Sequence, residues 1–173
     1  MQKPVITTSR LTLRRWRSDD VEPFAAMCAD PEVMRYIGSG HTRTAEQAAA
    51  SILAFERGWE EKGYGLLAVE LTASNQLIGF SGLAEPTFLP EIMPAVEIGW
   101  RFARWSWGEG YASEAARSVL DYGLVELGLP EIVSIYQVGN DASGRIMQKL
   151  GMRFDRAALD QTCRRLVHIY RTC

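Results

Sequence analysis

The sequence predicts an α/β fold, on three observations. An apolar strand, Val96 to Phe102, runs into the loop Trp107-Gly108-Glu109-Gly110, which opens at once into an amphipathic helix from Ala112 to Leu127. A β-branched strand, Ile132 to Val138, and a further helix ending at Gly151 complete a strand, loop, helix, strand, helix unit. Upstream, Gly65 to Glu70 and Leu77 to Leu83 are two strands joined by a polar turn containing Ser74-Asn75. The 173 residues, 47% of them hydrophobic, can bury one full core, so residues 1–173 are expected to be a single domain.

The elements follow in order. Leu11 to Trp16 alternates as a first strand, with Leu11 and Leu13 on one face. Asp19 and Glu22, three residues apart, mark a helix start ahead of Phe24. Gly38-Ser39-Gly40 breaks the chain, and Thr44 with Gln47 forms a capping box for a helix to about Lys62. Glu85 to Pro94, with three prolines and little periodicity, reads as a surface connection. In the helix after the loop, Ala112, Ala115, Ala116, Val119, Leu120, Gly123, Leu124 and Leu127 share a stripe facing a sheet. Gly128 stops that helix and Asn140 caps the next. A strand near Met152 to Asp155, a polar stretch and a last strand from Arg165 to Arg171 close the chain.

The loop has the layout of an anion cradle. Gly108 and Gly110 can adopt positive φ and lack Cβ, so amides of the loop and first helical turn can approach a phosphate. The helix dipole adds roughly half a positive charge there. A Gly-x-Gly alone is more often a tight connection. No third glycine makes it a dinucleotide fingerprint, and no Gly-Lys-Ser/Thr makes it a Walker loop.

A net charge of −2 predicts no bulk attraction to nucleic acid or anionic membrane. No apolar run reaches transmembrane length, and Met1-Gln2-Lys3-Pro4 begins no signal peptide. Cys28, Cys163 and Cys173 read as free thiols in the cytoplasm. His41 and His168 are too isolated for a metal site, and no Gly-x-Ser-x-Gly supports a serine hydrolase.

Glu97-Ile98-Gly99-Trp100, Trp107 to Ala115, Leu127-Gly128-Leu129, Asn140-Asp141-Ala142-Ser143 and Lys149-Leu150-Gly151-Met152 resemble the GNAT superfamily of acyl-CoA-dependent N-acetyltransferases. They are most similar to its RimJ/RimL-like branch, and Asp30 to Tyr36 looks like that branch's short second helical segment. The resemblance implies a mixed, mainly antiparallel central sheet flanked by helices, with acetyl-CoA as cosubstrate and no metal. It puts the pyrophosphate on the loop Trp107, Gly108, Glu109, Gly110, Tyr111 and Ala112. The pantetheine falls beside Ile98, Gly99, Trp100 and Arg101, where the strand splays from its neighbour and a free N–H can polarise the thioester. Trp107 replaces the superfamily's usual Gln or Arg.

Asn140 is an N-cap that can also bond the pantetheine arm. Many members carry a proton-donating tyrosine seven residues later; here Met147 stands there. Ser143 can hydrogen-bond the departing thiolate instead, or serve only its own helix end. Glu97 is the candidate base, a partly buried carboxylate with a raised pKa, against a structural salt bridge as the alternative. Arg104, nearest the loop, is a candidate for the CoA phosphates, as are Arg145 and Lys149 unless they only form a solvated helix face.

The acceptor groove is expected between residues 34–41 and 155–165, with Tyr36, Asp155 and Asp160 as candidate linings that would suit a cationic acceptor. The acceptor is a protein N-terminus or a small amino compound. The alternatives are an aminoglycoside or polyamine resistance enzyme, and a non-catalytic CoA-binding module suggested by Met147. The enzyme is expected to act as a monomer or homodimer.

Overall fold

The computed structural model describes residues 6–173; Met1-Gln2-Lys3-Pro4 lies outside them. Eight strands build one sheet: β1 (Ile6–Thr7), β2 (Leu11–Arg14), β3 (Leu66–Leu71), β4 (Leu77–Ala84), β5 (Glu97–Phe102), β6 (Val133–Gln137), β7 (Arg153–Asp160) and β8 (Arg165–Arg171). Their order is β1-β2-β3-β4-β5-β6-β8-β7, antiparallel except for the parallel β5–β6 pair. The parallel pair arises because β5 and β6 are joined through a helical crossover, α4 (Tyr111–Asp121).

Apolar layers form on both faces. Ile98 and Phe102 of β5 pack with Ala115, Ala116, Val119 and Leu120 of α4, and with Met147 of α5 (Asp141–Lys149). On the other face Ala68 and Phe80 pack beneath α1 (Val21–Cys28), α2 (Pro31–Met34) and α3 (Ala45–Lys62), through Phe24, Cys28, Met34 and Ile52. The expected capping box starts α3: Thr44 Oγ1 accepts from Gln47 N, and Gln47 Oε1 from Thr44 N.

Several boundaries differ from the sequence expectation. The start of α1 is organised by Asp20, not by an Asp19–Glu22 pair. Its carboxylate accepts from Arg17 N at 2.7 Å and pairs with Arg14, which also bonds Glu70 across the sheet. After Asp121 the helix widens into a π-type turn, Tyr122–Glu126, before Gly128 stops it at φ +64°. The proline-rich connection is partly core: Leu89 and Ile92 are buried against Val133, Val167 and Ile169. The polar stretch after Asp155 is strand. Most of β7 is exposed at the sheet edge, so its side chains carry no apolar alternation.

Candidate active site

β5 pairs with β4 over its whole length, from Ala84↔Glu97 to Gly79↔Phe102, but meets β6 only at Glu97↔Val133. Beyond that point the two strands part. Val96 O accepts from Val133 N at 2.9 Å and Ile98 O from Ser134 Oγ at 3.0 Å. Strand alternation turns the N–H of Trp100 the same way, past the last paired position and into the opening. A cavity of about 390 Å³ passes through this gap.

Side chains divide between its two ends. Ile98 and Trp100 face α4 and α5, whereas Glu97, Gly99 and Arg101 alternate to the α1–α3 face. Glu97 lines the cavity, and burial pushes its carboxyl up to about 8. Asn140 caps α5: its Oδ1 accepts from Ser143 N at 3.4 Å and its Nδ2 donates to Ser143 Oγ at 3.1 Å. Ser143, Asn140 and the buried Met147 all line the same cavity. Behind α5, Tyr136 fills the space beside Gly144 and shares a 3.1 Å hydrogen bond with His168 Nδ1.

The glycine loop has the backbone its sequence requires. Gly108 and Gly110 have φ of +83° and +81°, and Gly110 is the N-cap of α4. The first helical bond runs from Glu114 N to Gly110 O at 3.0 Å, leaving the amides of Tyr111, Ala112 and Ser113 ahead of the hydrogen-bonded helix. The loop is braced from the β1–β2 turn. Arg10 donates to Glu109 O, lies 4.5 Å from the Tyr111 ring centre and pairs with Glu114.

Two residues expected at the cofactor are otherwise engaged. Trp107 N bonds Arg104 O and its indole Nε1 bonds Phe102 O, so it shapes the loop and offers neither N–H. Arg104 pairs with Asp30 at 3.0 Å and lines a second cavity with Pro23, Val33 and Trp105. The side chain of Arg101 lies on the face away from the α4 loop, next to Phe80 and Cys28.

The α1–α3 end of the cavity is lined by Tyr36, Ile37 and Gly38 on one side and by Asp160 and Thr162 on the other. Asp160 is buried and accepts from Thr162 N and Oγ1, while Asp155 pairs with Arg171. Tyr36 and Asp160 therefore line the groove as expected from the sequence, whereas Asp155, paired with Arg171, does not line the cavity. Arg165 and Gln137, not singled out in the sequence, strap the 35–39 segment across the opening. Arg165 donates to Arg35 O, Ser39 O and Gln137 Oε1, and Gln137 donates to Gly38 O. Nothing local in the sequence signals the bonds to the 35–39 segment, whose partners lie 99 to 130 residues further along the chain.

The candidate site thus combines a helix N-terminus with free amides, a strand gap and a carboxyl lining the cavity that passes through the gap. Residues 10–153 match the family described as "Acetyltransferase (GNAT) domain", and the chain belongs to that family. It is 32% identical over 150 residues to the uncharacterized N-acetyltransferase YoaA of Bacillus subtilis, covering 87% of this chain and 83% of that one. YnaD of the same organism is 34% identical over 148 residues, 86% and 82% of the two chains. A GNAT-family acetyltransferase from Bacillus anthracis has a TM-score of 0.81 at 27% identity, over 98% of both chains. RimL, a ribosomal α-N-protein acetyltransferase solved with coenzyme A, shares the fold at a TM-score of 0.79 and 13% identity, over 98% of this chain and 97% of that one. The protein is an acyltransferase with acetyl-CoA as donor.

Proposed function

We propose that this N-acetyltransferase moves the acetyl group directly from acetyl-CoA to a primary amine, without an acyl-enzyme. One observation carries this: the Glu97 carboxyl and the Ser143 hydroxyl line one cavity that crosses the sheet at the β5–β6 gap. The amides of Gly110 to Ala112 would receive the pyrophosphate. The pantetheine would lie along Ile98 to Trp100 and beside Asn140, with the Trp100 N–H on the thioester oxygen.

The amine nitrogen attacks the thioester carbonyl, the C–N bond forms and the C–S bond breaks. Glu97 takes the amine proton directly or through water, which suits a carboxyl held near pH 8. Ser143 hydrogen-bonds the leaving thiolate; Met147 cannot. The acceptor is a small amino compound or a protein α-amine. The Asn140-to-Ser143 and Trp107-to-Ala115 motifs support the RimJ/RimL-like branch, and three free thiols support a cytoplasmic location. Among the described residues, no helix is long and apolar enough to cross a membrane.

Thermal unfolding with and without excess acetyl-CoA, with ATP and NADH as controls, tests the donor. At about 100 times Kd a ligand adds roughly 2.7 kcal/mol. The midpoint should then rise by roughly 5–10 °C with acetyl-CoA alone. No shift in folded protein would refute the proposal.

A further inference from the structure

The α1–α3 end of the cavity holds a guanidinium that has no ion-pair partner among the described residues. Arg101 sits beside its register partner Phe80, its Cζ 5.2 Å from the ring centre, and its Nη1 reaches Cys28 Sγ at 3.7 Å. Its Nε is buried and has no hydrogen-bond partner, and among the described residues no carboxylate forms an ion pair with it. A second guanidinium, Arg43, adds repulsion. Burial first, and then Arg43, hold Arg101 below its ordinary value against the opposing effect of Cys28.

Arg14 and Arg15 differ from Arg101. Both are buried, and both are paired: Arg14 with Asp20 and Glu70, Arg15 with Glu56 and Glu60. A guanidinium stays charged at any physiological pH, and burying part of it without a hydrogen-bonding or charged partner is unfavourable. A ligand anion at Arg101 would supply the missing partner.

The spacing fixes where that anion would lie. Glu97, Gly99 and Arg101 share one face of β5, at about 7 Å per two residues. A Cβ built on Gly99 meets nothing within 4 Å, so the floor between the carboxyl and the guanidinium is open. Protonated amines other than the reacting one would be repelled there, which disfavours polyamines and aminoglycosides.

We infer that the acceptor is an aminocarboxylic acid, its amine between Glu97 and the thioester and its carboxylate bound by Arg101. This rests on the acetyltransferase function proposed above. The carboxylate is unchanged in the reaction; it supplies position and selectivity.

The test pairs glycine, β-alanine and L-phenylalanine with their carboxamides, and adds spermidine, following thiol release from acetyl-CoA. The free acids are expected to be preferred. In Arg101→Gln that preference should fall by about 30-fold or more through KM, the lower end of what losing one partner of a buried charge pair costs. Arg101→Met should be at least as stable as wild type, and both variants should keep the acetyl-CoA thermal shift. Amides or spermidine used as well as the acids, or an acid preference that survives Arg101→Gln, would overturn the inference.

If no probe is acetylated, the Arg101 Nε–H resonance, assigned by its loss in Arg101→Lys, decides the matter. A shift with β-alanine and none with β-alaninamide supports carboxylate binding; no shift overturns it. Failure of acetyl-CoA to bind would instead defeat the donor assignment, and is read separately in the thermal scan.

Discussion

The Asn140 side-chain amide donates to Ser143 Oγ at 3.1 Å, so the serine oxygen is an acceptor there and its own proton is left to donate toward the cavity. The helix cap and the hydroxyl proposed to hydrogen-bond the thiolate are thus one unit. Replacing Ser143 by Ala is expected to lower kcat by about 10²-fold, the low end of general acid–base contributions, with acetyl-CoA affinity little changed. Replacing Asn140 by Ala should also cost about 1 kcal/mol of stability through loss of the cap. Steady-state kinetics beside thermal unfolding separates the two effects.

Glu97 gives a pH signature in both activity and stability. Burial raises its carboxyl from an ordinary 4.5 to about 8, so the folded protein binds this proton more tightly than the unfolded chain. Its contribution to stability is therefore fully present below about pH 4.5 and is lost as pH rises through about 8. With Glu97 as the proposed base, activity is expected to run the other way, rising as the carboxylate form appears. In Glu97→Gln the kcat/KM inflection near pH 8 should vanish, and the variant should outlast wild type in denaturant at pH 9. An unchanged pH–rate profile removes Glu97 as the base.

Gly110 tests the cradle. At φ +81° a β-branched residue is strained by roughly 1–2 kcal/mol. Relaxing that strain would turn the α4 amides away from the phosphate site. Gly110→Val should lose the acetyl-CoA thermal shift and calorimetric binding while keeping its far-ultraviolet spectrum.

Gly82 and Gly99 are register partners with opposite surroundings. A Cβ on Gly82 would sit 2.2 Å from Gly65 O, whereas one on Gly99 meets nothing within 4 Å. Gly82→Ala is expected to destabilise by about 1–3 kcal/mol. Gly99→Ala should unfold within about 0.5 kcal/mol of wild type yet raise KM for the amine, because its methyl enters the cavity.

Where a signal was local, it was legible in the sequence. The Thr44/Gln47 capping box, the apolar stripe of α4, the Asn140 cap and the left-handed glycines of the loop each depend on residues within a few positions of one another. The core strands announced themselves by apolar runs. Strand β7 did not, because an exposed edge needs no apolar face, and the 85–94 segment hid Leu89 and Ile92 among prolines. Asp20, rather than Asp19, organises the start of α1 because its partner Arg14 lies on the preceding strand, outside the local window.

Sequence by itself determined the class of fold and the positive-φ glycine loop that opens α4, since backbone conformation and helix periodicity are written in short windows, while the family resemblance pointed to Glu97 and Ser143. Tertiary structure alone decided which charges are spent and which are left over. Arg104 meets Asp30, Asp155 meets Arg171 and Asp160 closes its own turn, while Arg101, its Nε buried, has no ion-pair partner among the described residues. Ion pairing is set by three-dimensional proximity between distant segments, and the charge a pocket presents is the remainder after those pairings are made.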